Sequence, residues 1–457
     1  MTESAPPEDE PEQTRAQRLI GAAKNTPLPE GTYAIGAGLM IAGISAYGFQ
    51  ILARRGLSDE GYAALNGLWV LVFIVTPGFF QPIEQEVSRA LAHRSANGIG
   101  GGPLVRRAAL LGGILAATAA LASVIAGPKL IDELFHGESL LLVALLVAIG
   151  SYYVAHVTRG TLSGNGRFGG YGTMLGAEGV IRMAMCLALF VAGVEEPVLY
   201  GLALALPPIG AIGAALRGQR GLMAPGPEAP YSELSSALGW LLLGAVLAQV
   251  LSYGSFLAAI LLAEPNQQDE VGNFITGLFM ARILILLFQA VQAALLPKLA
   301  GLAGTGQHDD FRSGMRKLVV VVVGLGIIGV FAAALVGPFV GKLLFGAENF
   351  VLGNRDLALL TAGTAYFILA LTLAQGLIAL RGYVAAAMAW LAGIVGFVIV
   401  CAPGNDLFLR VELAFVAGSA VASAAMAIAL VLRMRRGVPD DAVNELVEHI
   451  GHEPLEI

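Results

Sequence analysis

Twelve apolar segments, each long enough to cross a lipid bilayer as a helix, dominate the sequence. A helix rises about 1.5 Å per residue and the hydrocarbon core of a bilayer is about 30 Å thick, so about 20 apolar residues suffice. The segments lie at about 31–53, 61–83, 108–128, 139–158, 171–194, 197–216, 234–263, 271–296, 318–341, 357–380, 382–402 and 411–432. The pattern predicts an all-α polytopic membrane protein with twelve transmembrane helices.

The composition excludes a soluble globular protein. Charged residues make up 13% of the chain, whereas soluble domains carry about 25%, and the mean hydropathy is +0.74. The net charge of −6 arises largely from acids in the tails and loops, and a nucleic-acid partner is not expected. The six histidines form no cluster with other ligands at metal-binding spacing. We therefore expect no metal site, no cofactor, no catalytic residue and no enzymatic activity.

An internal repeat divides the chain into two halves. Residues 58–69 (SDEGYAALNGLW) align without a gap with residues 268–279 (QDEVGNFITGLF), and residues 45–49 resemble residues 252–256. An even number of helices separates the copies, so the halves share one orientation in the membrane. The repeat predicts two six-helix lobes related by a pseudo-two-fold axis along the membrane normal. The alternative is chance similarity between apolar segments.

The domain boundaries and the orientation follow from the apolar segments and the basic residues. The predicted units are a disordered cytoplasmic tail at 1–30, an N-terminal lobe at 31–222, a cytoplasmic linker at 223–233, a C-terminal lobe at 234–432 and an acidic cytoplasmic tail at 433–457. With both termini cytoplasmic, the outer loops hold only Arg54, Arg55, Lys129, Lys342, Arg355 and Arg410. Most other Lys and Arg residues then lie inside, as the positive-inside rule requires.

The segment at 271–296 carries one full charge, Arg282. A guanidinium stays protonated in proteins, and placing it near the middle of a membrane helix costs about 2.5–3.5 kcal/mol on insertion scales. Such a residue usually faces a bundle interior or a wet cavity. Gln289 lies on the same helical face, seven residues on. We predict that both side chains bind substrate. The alternative is that Arg282 is a structural cation held by neighbouring carbonyls.

Glu178 and Arg182 are the other two full charges that we place in the apolar segments. They are four residues apart on one predicted helix, with the acid first, which favours an intrahelical ion pair. One interpretation is that they only neutralise each other. The other is that they face the same central cavity as Arg282, where two guanidinium groups would suit phosphate oxygens.

A candidate gate follows the second apolar segment. Pro77, Gly78 and Pro82 predict a bend or break in this helix. Residues 82–89 (PIEQEVSR) then place Glu84, Glu86 and Arg89 at the predicted cytoplasmic mouth. Because Glu86 and Arg89 are three residues apart on a helix, they can form a gating ion pair. An ordinary interfacial cluster is the alternative.

Three stretches carry a resemblance to a known superfamily. They are residues 82–89, residues 159–164 (RGTLSG) followed by Phe168 and Tyr171, and residues 281–297. With these motifs the chain resembles the multidrug/oligosaccharidyl-lipid/polysaccharide exporter superfamily, and most of all the bacterial polysaccharide (O-antigen-type) lipid flippases. The resemblance implies two six-helix lobes that form a V and alternate access between the two sides.

The resemblance implies a flippase that moves an undecaprenyl-diphosphate-linked oligosaccharide across the membrane. Arg282 and Arg182 would hold the anionic headgroup, and Glu178 would orient Arg182 or act as a proton site. An alternative is an ion-coupled exporter of small organic cations, for which Glu178 would matter more than either arginine. Drug-extruding members of the superfamily often carry a carboxylate on the first helix, and residues 31–53 hold none. A third hypothesis is a membrane scaffold or an integral glycosyltransferase.

The expected partners and location follow from the flippase hypothesis. They are membrane lipid, a lipid-linked glycan, a coupling ion (H⁺ or Na⁺) and proteins of glycan assembly. The expected location is the bacterial cytoplasmic membrane.

Overall fold

Twelve main helices, with a short helical turn at residues 127–134, form the part of the chain that the computed structural model describes, which is residues 32–230, 234, 238–264, 267–285, 288, 308–346, 350, 352–404 and 406–436. They are α1 (Thr32–Gly56), α2 (Asp59–Ala96), α3 (Gly102–Ile125), α4 (Leu140–Gly164), α5 (Phe168–Val191), α6 (Pro197–Leu216), α7 (Leu238–Leu262), α8 (Gln268–Ala281), α9 (His308–Phe345), α10 (Asn354–Ala379), α11 (Tyr383–Cys401) and α12 (Leu407–Arg436). Within these residues no strand occurs, and every helix except the shorter α8 is long and apolar enough to cross a membrane.

The two halves pack their helices in the same pattern. In the N-terminal lobe α1 packs against α5, α2 and α3 pack against α4, and α6 packs against α4 and α5. The C-terminal lobe repeats each pair, with α7 against α11, α8 and α9 against α10, and α12 against α10 and α11. Equivalent pairings in both halves confirm the two six-helix lobes. The predicted boundary of the N-terminal tail lies outside the described residues, whereas α12 continues to Arg436, past the predicted start of the C-terminal tail at residue 433.

Glycines let α1 and α5 approach each other closely. A Cβ atom on Gly172 would lie 2.3 Å from the carbonyl oxygen of Ala34, and one on Gly38 would lie 2.4 Å from the carbonyl oxygen of Gly172. No side chain fits at these distances. In lipid, helices associate through such close packing, because the tails around them are as apolar as the helix surface.

The second helix is longer and more regular than the sequence predicts. Its N-cap is Ser58, whose hydroxyl accepts a hydrogen bond from the backbone N–H of Gly61 at 3.1 Å. This bond satisfies one of the donors that every helix N-terminus leaves open. The predicted break at Pro77 and Pro82 does not occur, since α2 continues as one helix to Ala96.

A proline pair interrupts α6. The helix is split into Pro197–Ala205 and Pro207–Leu216, because Pro207 and Pro208 lack the N–H groups that the preceding turn needs. The carbonyl oxygen of Ala205 instead accepts a hydrogen bond from the hydroxyl of Ser151 on α4, at 2.6 Å. A neighbouring helix thus satisfies the freed backbone group, as a low-dielectric membrane interior requires.

The lobes meet along α2 and α7, which pack against each other. We call the end of the bundle that holds residues 217–230 the linker side, and the end that holds the α1–α2 turn the distal side. On the distal side, Nη2 of Arg55 at the end of α1 donates to the carbonyl oxygen of Leu343 on α9 at 3.1 Å. This hydrogen bond joins the two lobes across the distal side.

Candidate functional site

A cleft lies between the lobes, and α1, α2, α7 and the α8 region all contribute to its walls. It encloses about 190 Å³, less than the range of about 300–1,000 Å³ that is usual for sites of drug-sized ligands. The lining residues are Gly43, Ala46, Tyr47, Trp69, Phe73, Gln249, Ser252, Tyr253, Phe279, Arg282 and Ile285. We call this space the central cleft. Its lining comes from both halves of the repeat.

Arg282 is the charged residue of the central cleft, and it lies where α8 stops. The helix ends at Ala281, and the N–H of Arg282 bonds to the carbonyl oxygens of Leu278 and Phe279 as the C-cap. The structure therefore interrupts the segment that was expected to continue as one helix. Residues 283–285 form a further turn, and Gln289 lies outside the described residues.

The guanidinium of Arg282 is held by aromatic rings and by one serine of α7. Its Nη2 donates to the carbonyl oxygen of Ser252 at 2.9 Å and also to the hydroxyl of the same residue. Its Cζ lies 3.9 Å from the ring centroid of Tyr253 and 5.1 Å from that of Phe256. Cation–π contacts of this kind contribute about 2 kcal/mol when desolvated, which offsets much of the cost of burying the charge.

No carboxylate of the described residues lies within ion-pair distance of Arg282. The alternative interpretation was that neighbouring carbonyls hold Arg282. The contacts agree with it in part, since one carbonyl and one hydroxyl bind the guanidinium. Within the described part of the chain, no ion pair compensates this charge beside the central cleft. A ligand in the cleft accordingly meets a positive potential at the wall that the C-terminal lobe contributes.

Stacked aromatic rings line the opposite wall and cross between the lobes. The ring centroids of Trp69 and Phe73 on α2 are 4.6 Å apart, and Phe49 of α1 stacks on the other side of Trp69 at 5.6 Å. Trp69 also meets Phe279 edge to face at 5.6 Å, and Phe73 stacks on Tyr253 at 6.2 Å. These contacts make the cleft a place where a planar apolar ring can stack.

A second polar site lies inside the N-terminal lobe, centred on Glu178. Its carboxylate accepts a hydrogen bond from Nη2 of Arg159 on α4 and one from the hydroxyl of Tyr152 at 3.2 Å. Nη2 of Arg182 lies 3.6 Å from the same carboxylate, one turn along α5. All four side chains are buried. The predicted Glu178–Arg182 pair is therefore present, but a third charge that was assigned to a loop, Arg159, completes it.

Glu84 extends this polar site toward the linker side. Its Oε2 lies 2.7 Å from Nδ1 of His156 on α4, and its Oε1 accepts a hydrogen bond from the hydroxyl of Tyr171 on α5 at 2.7 Å. Glu84 and His156 are both buried. We call the connected set the N-lobe polar cluster. Its members are Glu84, Tyr152, His156, Arg159, Tyr171, Glu178 and Arg182.

The other candidate gate residues form an ion pair on the linker side. Nη2 of Arg89 donates to Oε1 of Glu86 at 2.6 Å, and Glu86 is buried whereas more than half of the Arg89 side chain is exposed. A polar cleft of about 370 Å³ opens beside them. Its lining residues are Gln81, Glu84, Gln85, Ser88, Arg89, Ser163 and Tyr171, and we call it the linker-side cleft. The gating role of Glu86 and Arg89 stays a prediction.

The predicted substrate residues are divided between two places. Arg282 lines the central cleft, whereas Glu178 and Arg182 belong to the N-lobe polar cluster and are not among the lining residues of that cleft. The two arginines are thus not brought together to hold one diphosphate. Their roles in substrate binding are not tested by this geometry.

Several buried polar residues were missed from the sequence. In the sequence analysis we placed Arg159 in a loop and counted His156 among the scattered histidines. Both residues lie on α4 inside the lobe. Glu412 of α12 falls in the last apolar segment and was overlooked. It is 1% exposed, and neither carboxylate oxygen has a hydrogen-bond partner among the described residues. A charge inside an apolar segment was the signal that could have found it.

Comparisons with known proteins give relatives without an assigned function and a clear structural likeness. No family model matches the sequence. The uncharacterized protein Rv3630 of Mycobacterium tuberculosis is 25% identical over 421 residues, which cover 87% of this chain and 91% of that protein. Rv1510 of the same organism is 26% identical over 435 residues, covering 90% and 94% of the two chains.

The solved structures with a similar fold are MATE family transporters. An outward-facing multidrug resistance MATE transporter of the MOP superfamily superimposes with a TM-score of 0.68 at 14% identity, covering 89% of this chain and 95% of the other. The eukaryotic MATE transporter AtDTX14 gives 0.68 at 14% identity, with 89% and 97% covered. The Vibrio cholerae MATE transporter VcmN gives 0.66 at 16% identity, with 90% and 97% covered.

These likenesses correct the predicted function. The flippase for an undecaprenyl-diphosphate-linked oligosaccharide is wrong, because the structural neighbours are MATE family transporters, one of them a multidrug resistance transporter, and they favour the alternative, an ion-coupled exporter of small organic cations. A lipid-linked glycan and glycan-assembly proteins are therefore not supported as partners. The resemblance to the superfamily holds at the level of fold, whereas the closer resemblance to polysaccharide flippases is not confirmed. The chain has the twelve-helix fold of the MATE family transporters of the MOP superfamily.

Proposed function

We propose that this protein exports small organic molecules across the membrane by alternating access, driven by a coupled ion. The observation that carries the proposal is the central cleft, whose walls come from both lobes of a transporter fold. A site at the interface of two repeats is where substrates of such folds bind, since a relative motion of the lobes then changes its exposure. The protein is a carrier in this proposal and not an enzyme.

The walls of the central cleft define the kind of substrate. Trp69 and Phe73 make part of the lining aromatic, and Arg282 adds a fixed cation to it. The cleft encloses about 190 Å³, which is room for a small ring system and not for a bulky one. Among the residues that line the cleft, Gln249 adds an amide that can donate and accept hydrogen bonds.

Alternating access requires the distal contact between the lobes to break. The hydrogen bond between Arg55 and Leu343 joins α1 to α9 on that side. If both termini are cytoplasmic, as the basic residues predict, the distal side is extracellular and this contact separates the cleft from the exterior. We assign the bacterial cytoplasmic membrane as the location on the same basis, with lobes at residues 31–222 and 234–432 and a cytoplasmic linker at 223–233.

Dye export from proteoliposomes tests the proposed function. We expect the purified protein to move a fluorescent aromatic dye under a pH or sodium gradient, and Phe73→Ala to lower the initial rate about fivefold because a stacking surface is lost. The matched control is Phe339→Ala, since Phe339 on α9 is 70% exposed and is not among the lining residues of the central cleft. Equal rates for both variants, or no movement of any dye, would contradict the proposal.

A further inference from the structure

The N-lobe polar cluster contains a carboxylate–imidazole pair with no role in the central cleft. Glu84 and His156 are 8% and 6% exposed, and Oε2 of Glu84 lies 2.7 Å from Nδ1 of His156. At this distance one proton bridges the two groups, and the pair can gain or lose it as a unit. Burial of such a pair inside a membrane lobe marks a functional residue rather than a packing residue.

We infer that Glu84 and His156 together bind the proton that drives transport, which rests on the proposed function above. The pair takes up one hydrogen ion from water on the linker side and later returns it, with no other bond formed or broken. The position differs from the substrate site, because neither residue lines the central cleft. The ligand of this second site is a single proton.

The charges around the pair balance when His156 is neutral. Arg159 and Arg182 carry two positive charges, and Glu84 and Glu178 carry two negative charges. One added proton therefore leaves a net charge of +1 inside the lobe. Tyr152 and Tyr171 only donate hydrogen bonds to the carboxylates. The bound proton is thus the one uncompensated charge of the cluster. The free energy of binding this proton depends on how much water reaches the cluster.

The other helices that pack around α2 and α4 add few charges. The helix α3 carries Arg106 and Arg107 in its first two turns, on the linker side, and the Glu86–Arg89 pair lies there too. In α1 the charges are Arg54 and Arg55 at the distal end, and α6 and α7 contain no Asp, Glu, Lys, Arg or His. Within these elements, Glu84 and His156 are therefore the acid and the base that lie in direct contact.

The pair has an access route. Glu84 and Tyr171 line the linker-side cleft together with the amides of Gln81 and Gln85 and the hydroxyl of Ser88. These groups can hold a chain of water molecules that reaches the carboxylate. His156 lies behind Glu84, away from this lining. A proton from the linker side therefore meets Glu84 first and His156 next.

Helix α2 links the proton site to the central cleft. Phe73 and Glu84 are eleven residues apart, about 16 Å along a helix. Pro77 and Pro82 lie between them and remove two backbone donors from the helix ladder. Helices bend most readily at such positions. A change of charge at Glu84 can thus alter the bend of α2 and move the aromatic wall of the cleft.

Proton-driven accumulation and dye exchange, measured in parallel, test the inference. We expect Glu84→Gln and His156→Gln to lower dye accumulation under a pH gradient at least tenfold, while dye–dye exchange without a gradient stays within twofold of the unsubstituted protein. The control is Glu133→Gln. Glu133 is an exposed carboxylate between α3 and α4 on the distal side. Accumulation by Glu84→Gln at the rate of the unsubstituted protein would overturn the inference, and so would loss of exchange in properly folded His156→Gln.

An infrared titration separates this inference from the proposed function. In detergent-purified protein, pH-difference spectra should show a buried carboxyl band whose midpoint shifts by at least one pH unit in His156→Gln. This measurement does not depend on transport activity, and it does not require a Glu84 variant that folds. If no dye is moved but the band shifts, the proposed function fails and the proton site stands. If dye export is proton-driven but the band does not move, the site is wrong.

Discussion

Replacing Arg282 by glutamine should lower the export of an anionic aromatic dye about tenfold and raise that of a cationic dye of similar size. The guanidinium is the only charge lining the described central cleft, so its removal eliminates the attraction to anions and the repulsion of cations. Tenfold corresponds to about 1.4 kcal/mol, which is modest for a charge a few ångströms from a ligand in a partly desolvated site. Initial rates in proteoliposomes measure both effects.

Two further variants make the Arg282 result interpretable. Arg282→Lys keeps the charge, so the preference between the two dyes should stay within about threefold of that of the unsubstituted protein. Arg316→Gln removes an exposed guanidinium from α9 and should change neither rate. If Arg282→Gln retained the original preference between anionic and cationic dyes, the side chain would have only the structural role that its contacts with Ser252 and Tyr253 also allow.

Replacing Glu178 by glutamine should destabilise the protein severely. The carboxylate pairs with Arg159 and Arg182, and all three side chains are buried. Removing one partner of a buried ion pair typically costs about 3–5 kcal/mol, because a charge is left uncompensated in a low-dielectric interior. We expect a large fall in the apparent melting temperature and in the yield of monodisperse protein, measured by fluorescence-detected size exclusion after heating.

A second substitution should recover part of this loss. In the double variant Glu178→Gln, Arg159→Gln, one of the two unpaired cations is gone, so the melting temperature should rise above that of Glu178→Gln alone. The coupling between the sites is read from the double-mutant cycle. Additive effects would show that Glu178 and Arg159 do not interact in the folded protein, contrary to their contact here.

Periodicity and repeats predicted the architecture because they depend on length and on apolar patterning alone. The gapless match between residues 58–69 and 268–279 placed the α1–α2 and α7–α8 turns in equivalent positions, and the packing of both lobes confirms it. The interruption of α8 at Arg282 was not predictable, since the segment stays apolar on both sides of it. The sequence also did not predict that α2 continues as one helix through Pro77. Packing against α4 and α7 overrides the local preference of proline for a break.

The candidate site was only half predictable. The position of Arg282 inside an apolar segment drew attention to a residue that lines the central cleft, and its role in substrate binding stays a prediction. Which carboxylate meets which arginine depends on how α2, α4 and α5 are brought side by side, and spacing within one helix cannot reveal that. The Glu84–His156 pair spans 72 positions of the chain, so no local motif contains it. The resemblance of three sequence stretches to the exporter superfamily predicted the fold. The chain's closer resemblance to the polysaccharide flippases led to the wrong substrate, a lipid-linked oligosaccharide.

A reversible clamp across the distal side tests the central claim, that the lobes separate to release substrate. Arg55→Cys and Leu343→Cys would be introduced together and joined by a short bifunctional reagent that forms a disulfide with each thiol, since both positions are exposed and the Arg55 side chain reaches the backbone of Leu343 across the lobes. The native cysteines, Cys186 and Cys401, are buried. The account predicts that dye export stops in the clamped protein and returns on reduction, whereas export at an unchanged rate while the clamp is intact would contradict it.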